Sequence, residues 1–313
     1  MRNIETGTLG LIVAFAFVVQ ASFAFGSSNY KCKKPACDVS AIGHRKLFEG
    51  PSVGNWYSTE KEKELGAKDA ATVEKRVDIL KDSTITDYVD QVAQRIAQNS
   101  DADIPITVRV IRRDEVGAFN LFGGHLYLTT GLLLKLHNEG ELASVLARGI
   151  AHAAMRSVAR LQTRSVLMEI ANMPVGSPLI AIDSVPHAPA NNDIAIQVLG
   201  AMKIQRELEL DADYFGIQYV YKAGYDTNCF LSELQSLWPQ GPTRSLAQAF
   251  YPFPPLAERV KRLNQEIDDI LPNQTGAVIS TSAFDEFMAH VRAIPSEAPE
   301  KDAKPKLVRH DPS

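Results

Sequence analysis

The side chains of this 313-residue chain best placed to do chemistry lie four positions apart on helical stretches. Positions i and i+4 share a helix face, so two imidazoles in that relation aim at one metal ion. A glutamate directly after the first can then take a proton from a metal-bound water. Arg148-Gly149-Ile150-Ala151-His152 has this spacing, but histidine stands only at its last position. A second pair four apart, Glu209 and Asp213, offers two carboxylates, to a site or to one solvated acidic face. The chain has seven histidines, and the other six, His44, His125, His137, His187, His290 and His310, lie in no ligand spacing.

The elements that must position these residues are legible from periodicity. Asn138 with Glu141 forms a capping pair before a helix whose apolar stripe is Leu142, Val145, Leu146, Gly149 and Ala153. A glycine on that stripe is a place for another helix to approach, at a helix-interior cost of about 1 kcal/mol relative to alanine. Upstream the period is that of strands: residues 106–111 alternate, and Gly123-Gly124 introduces a second β-like run at His125-Leu126-Tyr127-Leu128. Helices are expected from Ser58 and near Asp87 to Gln98, the latter with Tyr88, Val92 and Ile96 as its stripe. Glu209 and Asp213 fall on a long helix from Ile194 to Lys222 that Gly224 stops, and Leu256, Val260, Leu263 and Ile267 mark one more. Residues 172–193, with four prolines, read as a long loop. The expected class is α+β, mostly helical, with a small sheet beside the helix of Arg148 and His152.

The unbroken apolar run from Leu9 to Val19, followed by small residues at Ala21-Ser22 and Ala24, reads as a secretory signal over 1–24. An uncleaved signal anchor is the second choice; the run is shorter than the roughly 20 residues of a span. Residues 25–57 read as an irregular leader, 58–293 as the folded domain and 294–313 as a disordered tail. The expected location is periplasmic or secreted, with peripheral membrane association compatible. Cys32 and Cys37 either close a small loop, leaving Cys229 unpaired, or all three are unremarkable thiols. Thirty-three basic against 37 acidic residues give a charge of −4, which lacks the electrostatic footprint of a nucleic-acid binder.

Three ordered blocks resemble the HtpX and CAAX prenyl protease-like zinc metallopeptidases, peptidase family M forty-eight, and the resemblance spans roughly Ser58 to Ile267. Val116-Gly117-Ala118-Phe119 with Phe122-Gly123-Gly124-His125-Leu126-Tyr127 is similar to the family's Asn-Ala-Phe, Pro-Gly-Gly and strand segment. Asn138 to Leu146 is similar to the start of its motif helix, and Arg206 to Gly216, ending at Ala223-Gly224-Tyr225-Asp226, to the helix of its glutamate ligand. The resemblance implies a zincin-like fold. It puts the family's histidine ligands on Arg148 and His152, its glutamate ligand on Glu209, its second-shell aspartate on Asp213 and its general base on Gly149. A further family histidine falls on Phe253. Arginine has no lone pair for zinc and glycine has no carboxylate to move a proton, so the site is expected to be vestigial, with no cofactor and no catalytic residue.

The implied protein is a pseudopeptidase that keeps a cleft for peptide or unfolded protein. Its groove strand is His125, Leu126 and Tyr127, which resembles the edge along which family members hold extended peptide. The alternative is a residual zinc metalloendopeptidase acting in proteolysis of envelope proteins through His152 and Glu209. A third possibility is a structural envelope protein whose cleft has closed. Charge accounting adds one expectation: two acids deprived of a dication repel, so the Arg148 guanidinium pairs with Glu209, Asp213 or both.

Overall fold

A computed structural model of the chain describes residues 36–47, 55–171, 194–237 and 253–295, with 165–171 and 194–202 as backbone only. The expected signal, the loop at 172–193, Cys32 and the tail beyond 295 lie outside the described residues. The chain divides into a unit ending at Cys37 and a unit from Asp38. In the first, Cys37 is disulfide-bonded. In the second, Cys229 is a free, buried thiol.

Two capped helices come first. In α1 (Thr59–Glu74) the Ser58 side chain accepts from the Lys61 amide, with Glu60 and Glu62 in the first turn facing the positive end of the helix dipole. In α2 (Ser83–Gln98) Asp82 caps through the Ile85 amide, and Ile85, Val89, Val92, Ala93 and Ile96 form its buried stripe. The strands follow: β1 (Thr107–Ile111), β2 (Ala118–Asn120) and β3 (His125–Thr129). Their order is β1-β3-β2, with β3 parallel to β1 and antiparallel to β2.

A short turn, α3 (Thr130–Leu133), leads to α4 (Glu139–Ala154), the helix of Arg148 and His152. Asn138 caps α4 through the Glu141 amide, as the capping pair predicts. Every residue of α4 except His152 is buried, because the helix runs through the middle of the protein, packed by α2, α6 and α7. The remaining helices are α5 (Ser157–Ala171), α6 (Ile194–Lys222), α7 (Asn228–Leu237), α8 (Leu256–Asp269) and α9 (Ser282–Ala293). The expected long helix has its expected bounds. Absent from the periodicity reading were β2, α3, α5, α7 and α9. β2 is only three residues and its side chains are exposed or half-exposed, so no alternation marks it.

Residues 38–47 hold no long element and are part of the unit that starts at Asp38. Arg45 is buried and grips Asp101 at 2.5 Å, and its Nη1 donates to Gln218 of α6 at 2.6 Å. No helix among the described residues is long and apolar enough to cross a membrane.

Candidate functional site

Arg148 and His152 leave α4 one turn apart and meet acids on two different helices. The Arg148 Nη2 donates to Glu233 Oε1 on α7 at 2.6 Å. His152 Nε2 lies 3.6 Å from Glu209 Oε1 on α6, an ion-pair separation. Asp213, one turn beyond Glu209, is held in a fork by Arg259 of α8, with Nε to Oδ2 at 2.6 Å and Nη2 to Oδ1 at 2.7 Å. The expectation that Arg148 pairs with Glu209, Asp213 or both is therefore corrected in its contact partner, which is Glu233, while its charge still acts on Glu209. Its guanidinium does turn into the acidic pocket, but Glu233 takes the hydrogen bond because Asp213 already has a bidentate partner. Glu209 and Asp213 are no solvated acidic face; both are buried.

The six groups act on one another. Burial alone would raise the Glu209 carboxyl, but the His152 imidazole and the Arg259 and Arg148 guanidiniums outweigh it and hold Glu209 below the ordinary value. At Glu233 burial wins, and the carboxyl stays above its ordinary value despite Arg148 and Arg259. Burial would depress Arg259, but Asp213, then Glu209 and Glu233, raise it.

Gly149 faces the sheet. A Cβ there would lie 2.6 Å from Leu126 Cδ2 of β3 and 3.4 Å from Asn120 Oδ1 of β2. The Gly149 carbonyl accepts a 2.6 Å bond from Asn120 Nδ2. The glycine thus admits a strand side chain, not the helix expected from the stripe. The space into which a side chain at 149 would grow is occupied by Leu126.

These residues do not fit a catalytic zinc, which takes three protein ligands and an open position. His152 and Glu209 bring two donors together, the third position holds a guanidinium committed to Glu233, and Phe253 has no donor atom. Among the described residues no group of three or more His, Cys, Asp or Glu side chains is disposed to hold a metal.

Residues 83–267 match Peptidase family M48. The chain belongs to this family. Similar proteins include the putative beta-barrel assembly-enhancing protease of Vibrio cholerae, 35% identical over 156 residues that make up 48% of this chain and 32% of that one. The beta-barrel assembly-enhancing protease of Escherichia coli is 28% identical over 227 residues, 69% of this chain and 46% of that one. The mitochondrial metalloendopeptidase OMA1 of Arabidopsis thaliana is 29% identical over 119 residues, 38% of this chain and 23% of that one. The chain thus spans less than half the length of these curated relatives.

In this M48 chain the expected groove strand also needs correction. His125, Leu126 and Tyr127 belong to β3, the middle strand, and both of its edges are already paired. Leu126 and Tyr127 are buried, and His125 Nδ1 bonds Thr107 Oγ1 at 2.9 Å while burial lowers its pKa. Among the described residues the open edge is β2. Thr129 N donates to the Gly117 carbonyl and Leu121 N to that of His125, so the backbone groups of Ala118 and Asn120 between them point outward. Phe119 is 40% exposed although its ring stacks on Tyr127 at 4.9 Å, and Val116 is 44% exposed. A cavity of about 430 Å³ adjoins this edge, lined by Val73, Arg76, Val77, Ile111, Ala118 and Phe119 among others.

Two site residues escaped the sequence reading: Glu233 and Arg259. Each had a signal. Glu233 shares the face of Phe230, Leu234 and Leu237, and Arg259 that of Leu256, Val260 and Leu263, at spacings of three, four and seven. A charge inside an apolar stripe must be buried with a partner.

Proposed function

We propose that this M48 chain is an exported pseudopeptidase that holds extended peptide or unfolded protein against the β2 edge without cleaving it. The observation that carries this reading is Arg148: it stands where the family resemblance puts a zinc ligand, and its guanidinium is ion-paired to Glu233 at 2.6 Å. Gly149 supports it, since no carboxylate stands where a general base would, and Leu126 fills the space. What remains usable is the outward backbone of Ala118 and Asn120, to which a peptide strand adds through main-chain hydrogen bonds, with apolar side chains against Phe119 and Val116. The relatives named for enhancing β-barrel assembly make strand-forming clients of that kind a natural choice. The apolar run at Leu9 to Val19 supports a location in the periplasm or outside the cell, with a signal-anchored form as second choice.

A second reading has its own observation. His152 and Glu209 already bring two zinc donors within 3.6 Å of each other, as a rearranged zinc metalloendopeptidase acting on envelope proteins would use. Its turnover would be slow, because a general base contributes about 100-fold to 10,000-fold.

Zinc content and casein hydrolysis of the purified chain separate the two, measured beside the variant Arg148→His/Gly149→Glu/Leu126→Ala. The pseudopeptidase reading expects neither bound zinc nor chelator-sensitive cleavage from the unmodified chain. It also expects binding of a fluorescent unfolded peptide that Ala118→Pro weakens about tenfold or more by removing an outward N–H. Stoichiometric zinc with cleavage by the unmodified chain would refute it.

A further inference from the structure

We infer that Arg148 and Glu233 form a built-in replacement for a metal ion, so that the junction of α4, α6, α7 and α8 is held by its own charges and is indifferent to divalent cations. This goes beyond the peptide-holding reading and shares with it only the premise of a metal-free pocket.

Three buried acids converge here, Glu209, Asp213 and Glu233, each from a position where solvent cannot compensate it. A cation in their midst would have to bind all of them or leave one exposed to its neighbours. The chain instead supplies two guanidiniums and an imidazole beside them: Arg148 with Glu233, Arg259 with Asp213 and His152 with Glu209. The arrangement also works beyond nearest partners. The charge of Arg148 lowers Glu209 as well as Glu233, and that of Arg259 lowers both of the same acids. The Arg148 guanidinium therefore does electrostatically for Glu209 what it does by hydrogen bond for Glu233.

The backbone is fitted to the same end. Gly216 of α6 packs on Arg148, where a Cβ would lie 3.3 Å from both its N and its Cα, so α4 and α6 touch directly beside the ion pairs. Glu233 is the critical addition. It is fully buried on α7 and belongs to none of the positions carried over from the family pattern. Its Oε1 takes the Arg148 guanidinium at 2.6 Å, and the Arg259 charge acts on it as well.

The consequence is mutual dependence. Removing Arg148 alone takes the 2.6 Å ion-pair partner from a buried carboxylate, and removing Glu233 alone takes it from a buried guanidinium; either costs more than removing both. Thermal unfolding of the purified full chain tests this with Arg148→Met, Glu233→Met and the double variant, each in EDTA and in zinc chloride. Each single change is expected to lower the midpoint by roughly 10 °C, and the double variant to recover to within about 5 °C of the unmodified chain. Neither EDTA nor zinc should move the unmodified midpoint by more than about 1 °C.

Single effects that simply add in the double variant overturn the inference, as does a midpoint that zinc raises or EDTA lowers by several degrees. Should a single variant fail to accumulate, a folded double variant still supports the coupling and an unfolded one overturns it. Loss of peptide binding with the coupling intact sinks the peptide-holding reading alone.

Discussion

A carboxylate buried beside guanidiniums and one buried beside an amide respond to pH in opposite senses, and this protein has both. Glu209 is held below its ordinary value despite burial, by His152, Arg259 and Arg148, so its stabilising contribution is present above that value and fades as pH falls. Glu266 on α8 is the reverse. Burial raises it well above 4.5, against the 2.7 Å bond from Gln218 Nε2 and the charge of Arg45. Its proton is held more tightly folded than unfolded, so the stability it contributes is complete below 4.5 and is lost as pH rises through the raised value. Glutamine mimics the protonated acid. Glu266→Gln is therefore expected to gain stability relative to the unmodified chain between pH 5 and pH 8, and thermal melts at the two pH values check it. An equal difference at both would contradict the raised carboxyl. At this scale the sequence was partly readable: a lone charge in an apolar stripe announces a buried ion, as Glu233 and Arg259 do. Which opposite charge meets it depends on helices far apart in the chain.

Elements were more legible than their arrangement. Caps at Ser58, Asp82 and Asn138 and stripes such as Val89, Val92 and Ile96 express local rules, and α1, α2, α4 and α6 follow them. The run at His125 was correctly read as a strand, but whether a strand is an edge depends on what pairs beside it. Only the tertiary pairing put β2 outside and β3 in the middle. The approach of α1 to the sheet shows how exacting that assembly is. A Cβ on Gly66 would stand 2.1 Å from the Phe122 carbonyl oxygen, in a turn whose backbone cannot yield as a side chain would. Gly66→Ala should cost about 1–3 kcal/mol of overpacking, although in an open helix the same change gains about 1 kcal/mol. Urea unfolding measures the sign, and a stabilised variant would show that α1 and the turn do not touch in solution.

For the molecule as a whole, the segment before α1 is a working part of the core. Arg45 binds Asp101 through Nε and Nη2, Tyr219 also donates to Asp101 at 2.9 Å, and the Arg45 guanidinium lies 5.4 Å from the centre of the Phe215 ring. Both side chains of the Arg45–Asp101 pair are fully buried. Breaking such a pair from one side costs about 3–5 kcal/mol, so Arg45→Met should lower the urea midpoint by a large fraction of total stability. A shift near zero would mean that residues 38–47 are dispensable. Nothing in the local sequence of this segment marks Arg45, because its partners lie 56 and 173 positions away.

By itself the sequence determined the class of the fold, the family and the substitutions at Arg148 and Gly149, because periodicity, capping and motif spacing are properties of neighbouring residues. The tertiary structure alone decided that Glu233 is the acid Arg148 meets, that Leu126 fills the space beside Gly149 and that β2 is the open edge. Those outcomes depend on which distant side chains arrive at one point, and burial makes each arrival a charge or a volume that must be matched.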